Sequence, residues 1–395
     1  MKLCLGIILV CLSVLGCESV VQSTRTDDTP AHTRSTSLGI NIHWDFADEA
    51  WLEEVFADLV DMNVGMVRID WEWRRVEYEQ GSYDWSIKDT LMQLAYQYGL
   101  DIYPMVLYPP EWAQAQPPEP GHYSAHPATE HYQAYSDFVM ASIDRFGPEG
   151  DAPGDFRPIT HWEIWNEPNT AYFWSPEPDH AAYAELLKTT AADIRAAHPD
   201  IIIVHGGLAT ADFVWMNEAY GGKGETDLAY AAAFDVLSVH PYFIAMDGPD
   251  AGPRAPGAID DDNPDFAAIG FIGSIEDPGY YPKVYNLRNL MSLRDPQPDK
   301  PIWITEVGFF VGEDHPAAAT AEQHAALLQE TIDYTFENFG STPYRDHEHV
   351  VGVDKLFWFN YEDYGSDTDV GSWGLITQDG TRRPAFDIFE QLLQR

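Results

Sequence analysis

The sequence predicts an α/β fold, a (β/α)8 TIM barrel with long βα loops formed by a single domain. Eight strand-like segments rich in Val, Ile and aromatic residues recur along the chain, and helical stretches lie between most of them. About 250 residues suffice for a bare barrel, so the remainder is expected in loops. A doubly wound open sheet is the main alternative, but it favours a Gly-rich phosphate loop after the first strand. Residues 45–50, DFADEA, contain no glycine.

Each predicted strand is a short apolar run bounded by polar or turn residues. The strands are predicted at 38–44, 64–73, 101–109, 159–169, 201–209, 234–242, 302–309 and 355–362. Helices are predicted at 48–63, 86–98, 131–146, 179–198, 319–339 and 384–393. In the first helix Trp51, Val55, Leu59 and Met62 share one face. Pro178-Asp179 supplies a start signal for the fourth helix.

Residues 1–17, MKLCLGIILVCLSVLGC, combine one lysine and an apolar run with Val14-Leu15-Gly16 directly before Cys17. This pattern resembles a bacterial lipoprotein signal peptide with its lipobox, so Cys17 is expected to carry the lipid. A transmembrane anchor is the alternative, but the apolar run is shorter than the ~20 residues that span a bilayer. Glu18, directly after the cysteine, favours the outer membrane, on its periplasmic or cell-surface side.

Residues 18–37 are rich in Ser, Thr and Asp and predict a flexible tether, so the barrel domain is expected over 38–395. All three cysteines lie in the leader, which predicts a domain without disulfides or thiolate chemistry. The net charge of −42 argues against nucleic acid partners and favours a neutral ligand over a sulfated or uronate-rich one. A monomer that meets the membrane only through its lipid is expected.

Two apolar strands of the same type end in a glutamate. ITHWEIWNEPN at 159–169 carries Glu167, and PIWITEVGF at 301–309 carries Glu306. Hydrolysis of a glycosidic bond takes one carboxyl group to protonate the leaving oxygen and a second, ionised one to attack the anomeric carbon or activate water. One strand-end glutamate is usually a solvated surface group, but two in matching contexts indicate a catalytic pair. Glu163 lies deeper on the same face and is predicted to be structural and paired or neutral.

WEIWNEPN and the helix after it resemble the fourth strand, loop and helix of clan A glycoside hydrolases, particularly family 39, with family 5 more distant. IWITEVGF is similar to the clan's seventh strand, and the match runs from GINIHW to the final helix. The resemblance implies hydrolysis with retention of configuration, with Glu167 as the general acid/base and Glu306 as the nucleophile. It also implies that Asn166 contacts the sugar 2-hydroxyl.

Further roles follow from the same resemblance. Arg68 in GMVRIDWEW matches the arginine that steadies the nucleophile carboxylate and keeps it ionised. His240 and Tyr242 in LSVHPYF match residues that hydrogen-bond near the nucleophile and the sugar. Trp358 in LFWFNYED matches the aromatic floor of the subsite for the cleaved sugar. For His240 a buried core histidine is the alternative, and for Arg68 a surface cation.

Tryptophans near strand ends fit carbohydrate, because the C–H faces of pyranose rings stack on indole. Trp174 and Trp112 rank beside Trp358 because they lie in loops, although core packing is the alternative for each tryptophan. Lower-ranked candidates are Trp44, Trp73, Trp165, Trp373 and His43. The loops at 108–130 and 243–281 are expected to shape the groove.

No metal or cofactor is predicted. Asp363, Asp367 and Asp369, and the run 260–262, do not follow the EF-hand pattern. Because the chain ends one helix after its eighth strand, where many family 39 exo-enzymes carry a β-sandwich domain, an endo-acting enzyme is expected. An exo-acting β-xylosidase and a non-catalytic surface glycan-binding lipoprotein are the alternatives.

Overall fold

A computed structural model describes residues 34–43, 49–222, 226–242, 280–312, 318–340, 351–364 and 372–395. They form a closed barrel of eight parallel strands in the order β1 to β8, which confirms the predicted fold class. The leader with Cys17, most of the tether, Trp44 and nearly all of the 243–281 loop lie outside the described residues. No described helix is long and apolar enough to cross a membrane.

Each strand overlaps a predicted segment. The strands are β1 (Leu38–Ile42), β2 (Met66–Glu72), β3 (Asp101–Leu107), β4 (His161–Asn166), β5 (Ile202–Ala209), β6 (Leu237–His240), β7 (Ile302–Val307) and β8 (Val353–Trp358). Nearly all their residues are buried, because the barrel interior covers one face and the helices cover the other.

The described residues contain nine α-helices. They are α1 (Glu49–Asp61), α2 (Ser86–Tyr98), α3 (Tyr132–Phe146), α4 (His180–Ala197), α5 (Phe213–Ala219), α6 (Leu228–Ala231), α7 (Tyr280–Arg294), α8 (Ala321–Asn338) and α9 (Pro384–Leu393). The carboxylate of Asp179 accepts hydrogen bonds from Ala181 N and Ala182 N, so it caps α4 as predicted. The two short helices and α7 were not predicted. In α7, polar residues such as Asn286 and Arg288 are buried beside apolar ones, which hides any helical period.

Strand alternation gives the barrel interior three layers. The lowest is apolar and contains Met66, Val204, Val236, Trp303 and Phe357. A polar layer lies above it, centred on Arg68, which stands two residues above Met66 on the same face of β2. The apolar cluster at the mouth contains Tyr242, Phe310, Phe359 and Trp373. Buried polar groups are thus concentrated where β-strands end, the place where barrel enzymes carry their chemistry.

Candidate active site

The two strand-end glutamates meet at the barrel mouth. Glu167 directly follows β4, Glu306 is near the end of β7, and their exposed fractions are only 5% and 7%. Trp165 and Glu167 have φ values of 74° and 41°, in the left-handed region, so the backbone turns sharply at the Asn-Glu corner. One carboxylate oxygen of each glutamate and one ring nitrogen of His240 all lie within 4.8 Å of one another.

Arg68 joins the Glu306 carboxylate to a second, deeper one. Its Nη1 donates to Glu306 Oε1 at 2.7 Å, while Nε and Nη2 donate to the two oxygens of Glu163 at 2.7 and 3.1 Å. Asn41 and Asn166 accept from the same guanidinium at 2.9 and 3.0 Å. Burial alone lowers the pKa of Arg68, but the charges of Glu163 and Glu306 raise it above its ordinary value. The guanidinium is therefore a fixed positive charge.

Opposing effects act on Glu306. Burial raises the pKa of its carboxyl, while the charge of Arg68 and a hydrogen bond from Tyr242 lower it, and burial is the larger effect. The Tyr242 hydroxyl donates to Glu306 Oε2 at 2.8 Å, so each oxygen of the carboxylate has a donor. Those donors favour the ionised form that a nucleophile requires.

Glu167 has a different neighbour. His240 Nδ1 lies 2.8 Å from Glu167 Oε1, and His240 Nε2 lies 3.0 Å from Thr305 Oγ1. The ring is fully buried, and burial together with the charge of Arg68 holds the pKa of His240 well below its usual value. Glu167 therefore faces a neutral imidazole, not a cation.

Gly207 on β5 makes this arrangement possible. A Cβ added to Gly207 would overlap the His240 ring, so only glycine leaves room for it. The Gly207 carbonyl accepts from Glu167 N at 2.9 Å, and Gly207 N donates to Glu163 Oε1 at 3.0 Å. Glu163 is thus paired, as predicted for a structural carboxylate.

The structure gathers most of the predicted site residues in one place. Around the two catalytic candidates lie Arg68, Asn166, His240 and Tyr242. His43 stands at the rim, where its Nδ1 is 3.7 Å from Asp70 Oδ2 and its ring centroid is 4.7 Å from that of Tyr364. Trp373 packs against Tyr242 in the mouth cluster, with ring centroids 5.5 Å apart.

The prediction that Trp358 forms the floor of the sugar subsite is wrong. Its ring is fully buried against Phe309 and His324 of α8, so it offers no surface to a ligand. Phe357 faces the barrel interior, and by strand alternation the residue on that face above it is Phe359. Phe359 belongs to the mouth cluster and takes the place expected for Trp358.

Two further tryptophan predictions are corrected in the same way. Trp73 is fully buried against Phe138 of α3, because Arg68 and Glu72 occupy the inward face of β2. Trp174 is fully buried and stacks on His126. Trp112 is only half-buried and packs edge-on against Trp73, so its place as a candidate for sugar stacking stays a prediction. The fully buried rings of Trp73 and Trp174 support the loops and are not placed to stack on sugar.

Several residues at the site were not predicted. Ser238 and Thr305 connect Glu163 to His240 by hydrogen bonds, and Asn41 orients Arg68. Tyr364 lies over the mouth, and its pKa is raised by burial and by nearby charges that include Glu306 and Glu167. The only feature of the sequence that could have indicated Asn41 was its place in the GINIHW motif. No feature of the sequence indicated the Ser238 and Thr305 hydroxyls.

Three ligand atoms within 4.8 Å are also close enough to bind a metal ion. Both oxygens of Glu306 are already bonded, to Arg68 and Tyr242. A cation at this point would lie beside the ionised guanidinium, which opposes its binding. The donor set fits acid/base chemistry better than metal coordination.

No family model and no curated protein matches the chain. Solved structures do match it. A family 39 glycoside hydrolase from Bacteroides cellulosilyticus WH2 is 20% identical with a TM-score of 0.61, over 91% of this chain and 64% of that one. A family 39 β-xylosidase from Caulobacter crescentus is 18% identical with a TM-score of 0.57, over 90% and 70%.

A family 30 xylanase from Clostridium acetobutylicum is more distant, at 13% identity and a TM-score of 0.52, over 92% of this chain and 72% of that one. Similarity at these identities shows a shared fold, and a fold alone does not define an activity. The resemblance to clan A enzymes that the motifs indicated is therefore confirmed at the level of the fold.

Proposed function

We propose that the protein is a retaining glycoside hydrolase that acts on a neutral, β-linked oligo- or polysaccharide. The observation that supports this best is the separation of Glu167 and Glu306, which have carboxylate oxygens within 4.8 Å of each other. Carboxyl groups lie about 5–5.5 Å apart in retaining enzymes and about 6.5–9.5 Å apart in inverting ones. Their different neighbours also suit two different roles.

In the first step, Glu306 attacks the anomeric carbon while the proton of Glu167 passes to the leaving oxygen, and the glycosidic bond breaks. In the second step, ionised Glu167 takes a proton from water, whose oxygen displaces Glu306 from the anomeric carbon. Arg68 and Tyr242 hold Glu306 ionised and aligned before attack. Asn166, fixed by its bond to Arg68, is assigned to the sugar 2-hydroxyl.

The test is incubation with a panel of β-linked polysaccharides and aryl glycosides, with product sizes and the first-formed anomer measured by NMR. Retention of configuration is expected, and an inverted product would overturn the mechanism. Glu167→Gln should lose about 10²–10⁴-fold in rate on natural glycans but much less in the first step on activated aryl glycosides. Glu177→Gln, an exposed glutamate of the same loop, is the control. Binding without product release across the panel would favour a glycan-binding lipoprotein instead.

The charge of the mouth supports a neutral sugar. Asp70 and Glu72 stand above Arg68 on the same face of β2. Arg68 is paired with Glu163 and Glu306, and Glu72 lies 2.7 Å from Arg74 Nε and 3.5 Å from Arg75 Nε. A uronate or sulfate would therefore have to compete with carboxylates that already pair with these three arginines. Matched aryl β-glucosides and β-glucuronides test this, and preference for the glucuronide would contradict it.

An exposed aromatic group supports the endo-acting mode. Tyr123 and Tyr172 are 46% and 43% exposed, and the Phe173 ring lies 5.3 Å from that of Tyr123. Backbone hydrogen bonds from Tyr123 N and Ser124 N to Tyr172 O join the two loops. Burial raises the pKa of Tyr123 and the charge of Glu167 adds to this, so the Tyr123 ring lies close enough to Glu167 to sense its charge. We assign these rings to the leaving-group side of the site. They suit a sugar of a longer chain. An exo-acting β-xylosidase is the alternative, and release of single sugars alone would favour it.

We also propose that Cys17 carries a lipid that anchors the enzyme to a bacterial membrane, on the evidence of the leader sequence. Metabolic labelling with a fatty acid should mark the wild type but not Cys17→Ser. The substitution should also move the protein out of the membrane fraction. Equal labelling of both forms would contradict the proposal.

A further inference from the structure

A chain of buried hydrogen bonds runs from Glu163 to Glu167. Ser238 Oγ donates to Glu163 Oε1 at 2.9 Å, and the Ser238 and Thr305 hydroxyls are hydrogen-bonded to each other. Thr305 Oγ1 then meets His240 Nε2 at 3.0 Å, and His240 Nδ1 meets Glu167 Oε1 at 2.8 Å. Ser238, Thr305 and His240 are at most 1% exposed, so water does not interrupt the chain.

We propose that Ser238 and Thr305 are positioning residues that fix His240 as its Nε2–H tautomer, so that Nδ1 accepts the acidic hydrogen of Glu167. The catalytic meaning of this inference rests on the proposed function. The tautomer itself does not, because it can be measured without a substrate.

Glu163, at the first end of this chain of hydrogen bonds, can only accept hydrogen bonds. Glu163 Oε1 takes hydrogen bonds from Gly207 N at 3.0 Å and Arg68 Nη2 at 3.1 Å, and Oε2 takes one from Arg68 Nε at 2.7 Å. The backbone N–H and the guanidinium can only donate, so Glu163 is the acceptor at each of these contacts. The hydrogen between Ser238 and Glu163 must therefore belong to Ser238.

Counting hydrogens then orders the rest of the chain. A hydroxyl has one hydrogen, and Ser238 has used its own on Glu163, so the hydrogen between Ser238 and Thr305 is that of Thr305. The hydrogen between Thr305 and His240 must accordingly come from Nε2. A neutral imidazole carries only one N–H, which leaves Nδ1 as an acceptor. Reversing the order would set two lone pairs against each other between Ser238 and Glu163.

The neutral state of His240 has independent support. Burial and the charge of Arg68 hold the pKa of the ring well below its usual value. Glu306 Oε2 is 3.5 Å from Nδ1, but that carboxylate accepts from Arg68 and Tyr242 and has no hydrogen to give. Among the described residues, the titratable and charged groups around this side of the mouth include His240, Glu306, Arg68, Glu163, Tyr242, Tyr123, Tyr364, His43 and Asp70.

Glu167 is the group that supplies the hydrogen shared with Nδ1. The acid form needed at the start of the reaction is therefore stabilised before substrate binds. Once that proton has passed to the leaving oxygen, the new carboxylate faces the lone pair of Nδ1. Proton uptake from water in the second step removes this repulsion and restores the starting state.

Two substitutions test the ordering. Thr305→Val removes the acceptor for Nε2–H, and Ser238→Ala frees the Thr305 hydroxyl to donate to Nε2. Either change favours the Nδ1–H tautomer, which donates to the Glu167 carboxylate and stabilises its ionised form. The alkaline limb of the kcat/KM profile should then move to lower pH by about one unit in both variants, because a hydrogen bond to a charged group is involved.

Two matched variants distinguish a change of the His240 tautomer from a general effect of substituting a buried residue. Thr305→Ser keeps the hydroxyl and should keep the position of the alkaline limb. Thr190→Val removes an equally buried hydroxyl, which donates to Leu186 O on α4 at 2.9 Å, and should not move the limb either. The inference would be overturned if the alkaline limb of the kcat/KM profile lay at the same pH in the wild type, Thr305→Val and Ser238→Ala.

NMR of protein labelled at histidine gives the readout that does not depend on activity. The ring ¹⁵N and ¹³C shifts distinguish the two tautomers, and the His240 signal is assigned by its loss in His240→Gln. We expect the Nε2–H form in the wild type and the Nδ1–H form in Thr305→Val. An active enzyme with the Nδ1–H form would overturn this inference alone. An inactive protein with the Nε2–H form would overturn the proposed function alone.

Discussion

The phenol of Tyr242 donates a hydrogen bond of 2.8 Å to Glu306 Oε2. Burial raises the pKa of Glu306, and this bond is one of the interactions that lower it again. Tyr242→Phe should therefore raise that pKa by about one unit, since a hydrogen bond to a charged group contributes about 1.5–3 kcal/mol. The nucleophile must be ionised, so activity should be lost at a higher pH as the solution is acidified.

The measurement is the acidic limb of kcat/KM, with about 10- to 100-fold lower activity expected near neutral pH. Tyr135→Phe is the control, because it removes a buried hydroxyl that donates to Val106 O at 2.8 Å, outside the site. An acidic limb that stays in place in Tyr242→Phe would show that Tyr242 does not act on Glu306.

The exposed rings of Tyr123 and Tyr172 predict a dependence on substrate length. Replacing both by Ala should lower kcat/KM on long oligosaccharides roughly 10-fold, because a stacked ring contributes about 0.5–1.5 kcal/mol. Aryl glycosides, which lack further sugars on the leaving-group side, should be affected much less. Phe336→Ala on α8, another exposed aromatic residue, is the control. Equal losses on short and long substrates would argue against a sugar subsite at these rings.

The position of Gly207 against the His240 ring predicts that no larger residue is tolerated at position 207. Gly207→Ala should displace the His240 ring and with it Glu167, so activity should fall at least about 100-fold through misplacement of a catalytic group. Some loss of folding stability is also expected from overpacking, about 1–3 kcal/mol. Gly340→Ala is the control, since an added Cβ there meets only one atom at 3.5 Å. A Gly207→Ala enzyme with normal activity and melting temperature would show that the ring can move freely.

Replacing His324 should increase the stability of the protein, and the increase should depend on pH. It is fully buried in α8, and neither ring nitrogen has a hydrogen-bond partner in the part of the chain that the structure describes. Burial lowers its pKa to about 3, whereas an unfolded histidine titrates near 6.5. The unfolded state therefore binds a proton first, and the folded state loses stability as the pH falls below about 6.5.

Removing the ring should abolish this loss. The gain in unfolding free energy for His324→Leu should be about 2 kcal/mol larger at pH 5 than at pH 8. Denaturant unfolding at the two pH values measures it. His198→Leu is the comparison, because His198 Nε2 reaches Asp144 at 2.9 Å near the surface. A gain for His324→Leu that is the same at both pH values would contradict burial of a neutral ring.

The sequence was sufficient to locate the strands and the catalytic candidates, but not the directions of all side chains. Glu167 and Glu306 were found because each ends an apolar run in a distinctive motif. In LFWFNYED, apolar residues occupy both faces of β8, so no alternation marks which aromatic residue points inward. The prediction of Trp358 was therefore one residue away from Phe359, which faces the mouth.

Other features depend on tertiary register. Ser238 pairs with Trp303 and Val239 with Ile304 between β6 and β7, which brings the Ser238 hydroxyl to that of Thr305. Nothing in either local sequence signals this contact, because serine and threonine are common at many kinds of position. The hydrogen-bond chain is visible only once the barrel is closed.

Arg68 is held by Glu163 as well as by Glu306, and this has a consequence for the covalent intermediate of the proposed reaction. When Glu306 becomes an ester, it loses its charge and can no longer balance the guanidinium. Glu163 remains as a permanent counter-ion with two hydrogen bonds to Arg68, so the arginine need not move or seek a new partner. The site can therefore keep one geometry through both steps, ready for water to attack the ester.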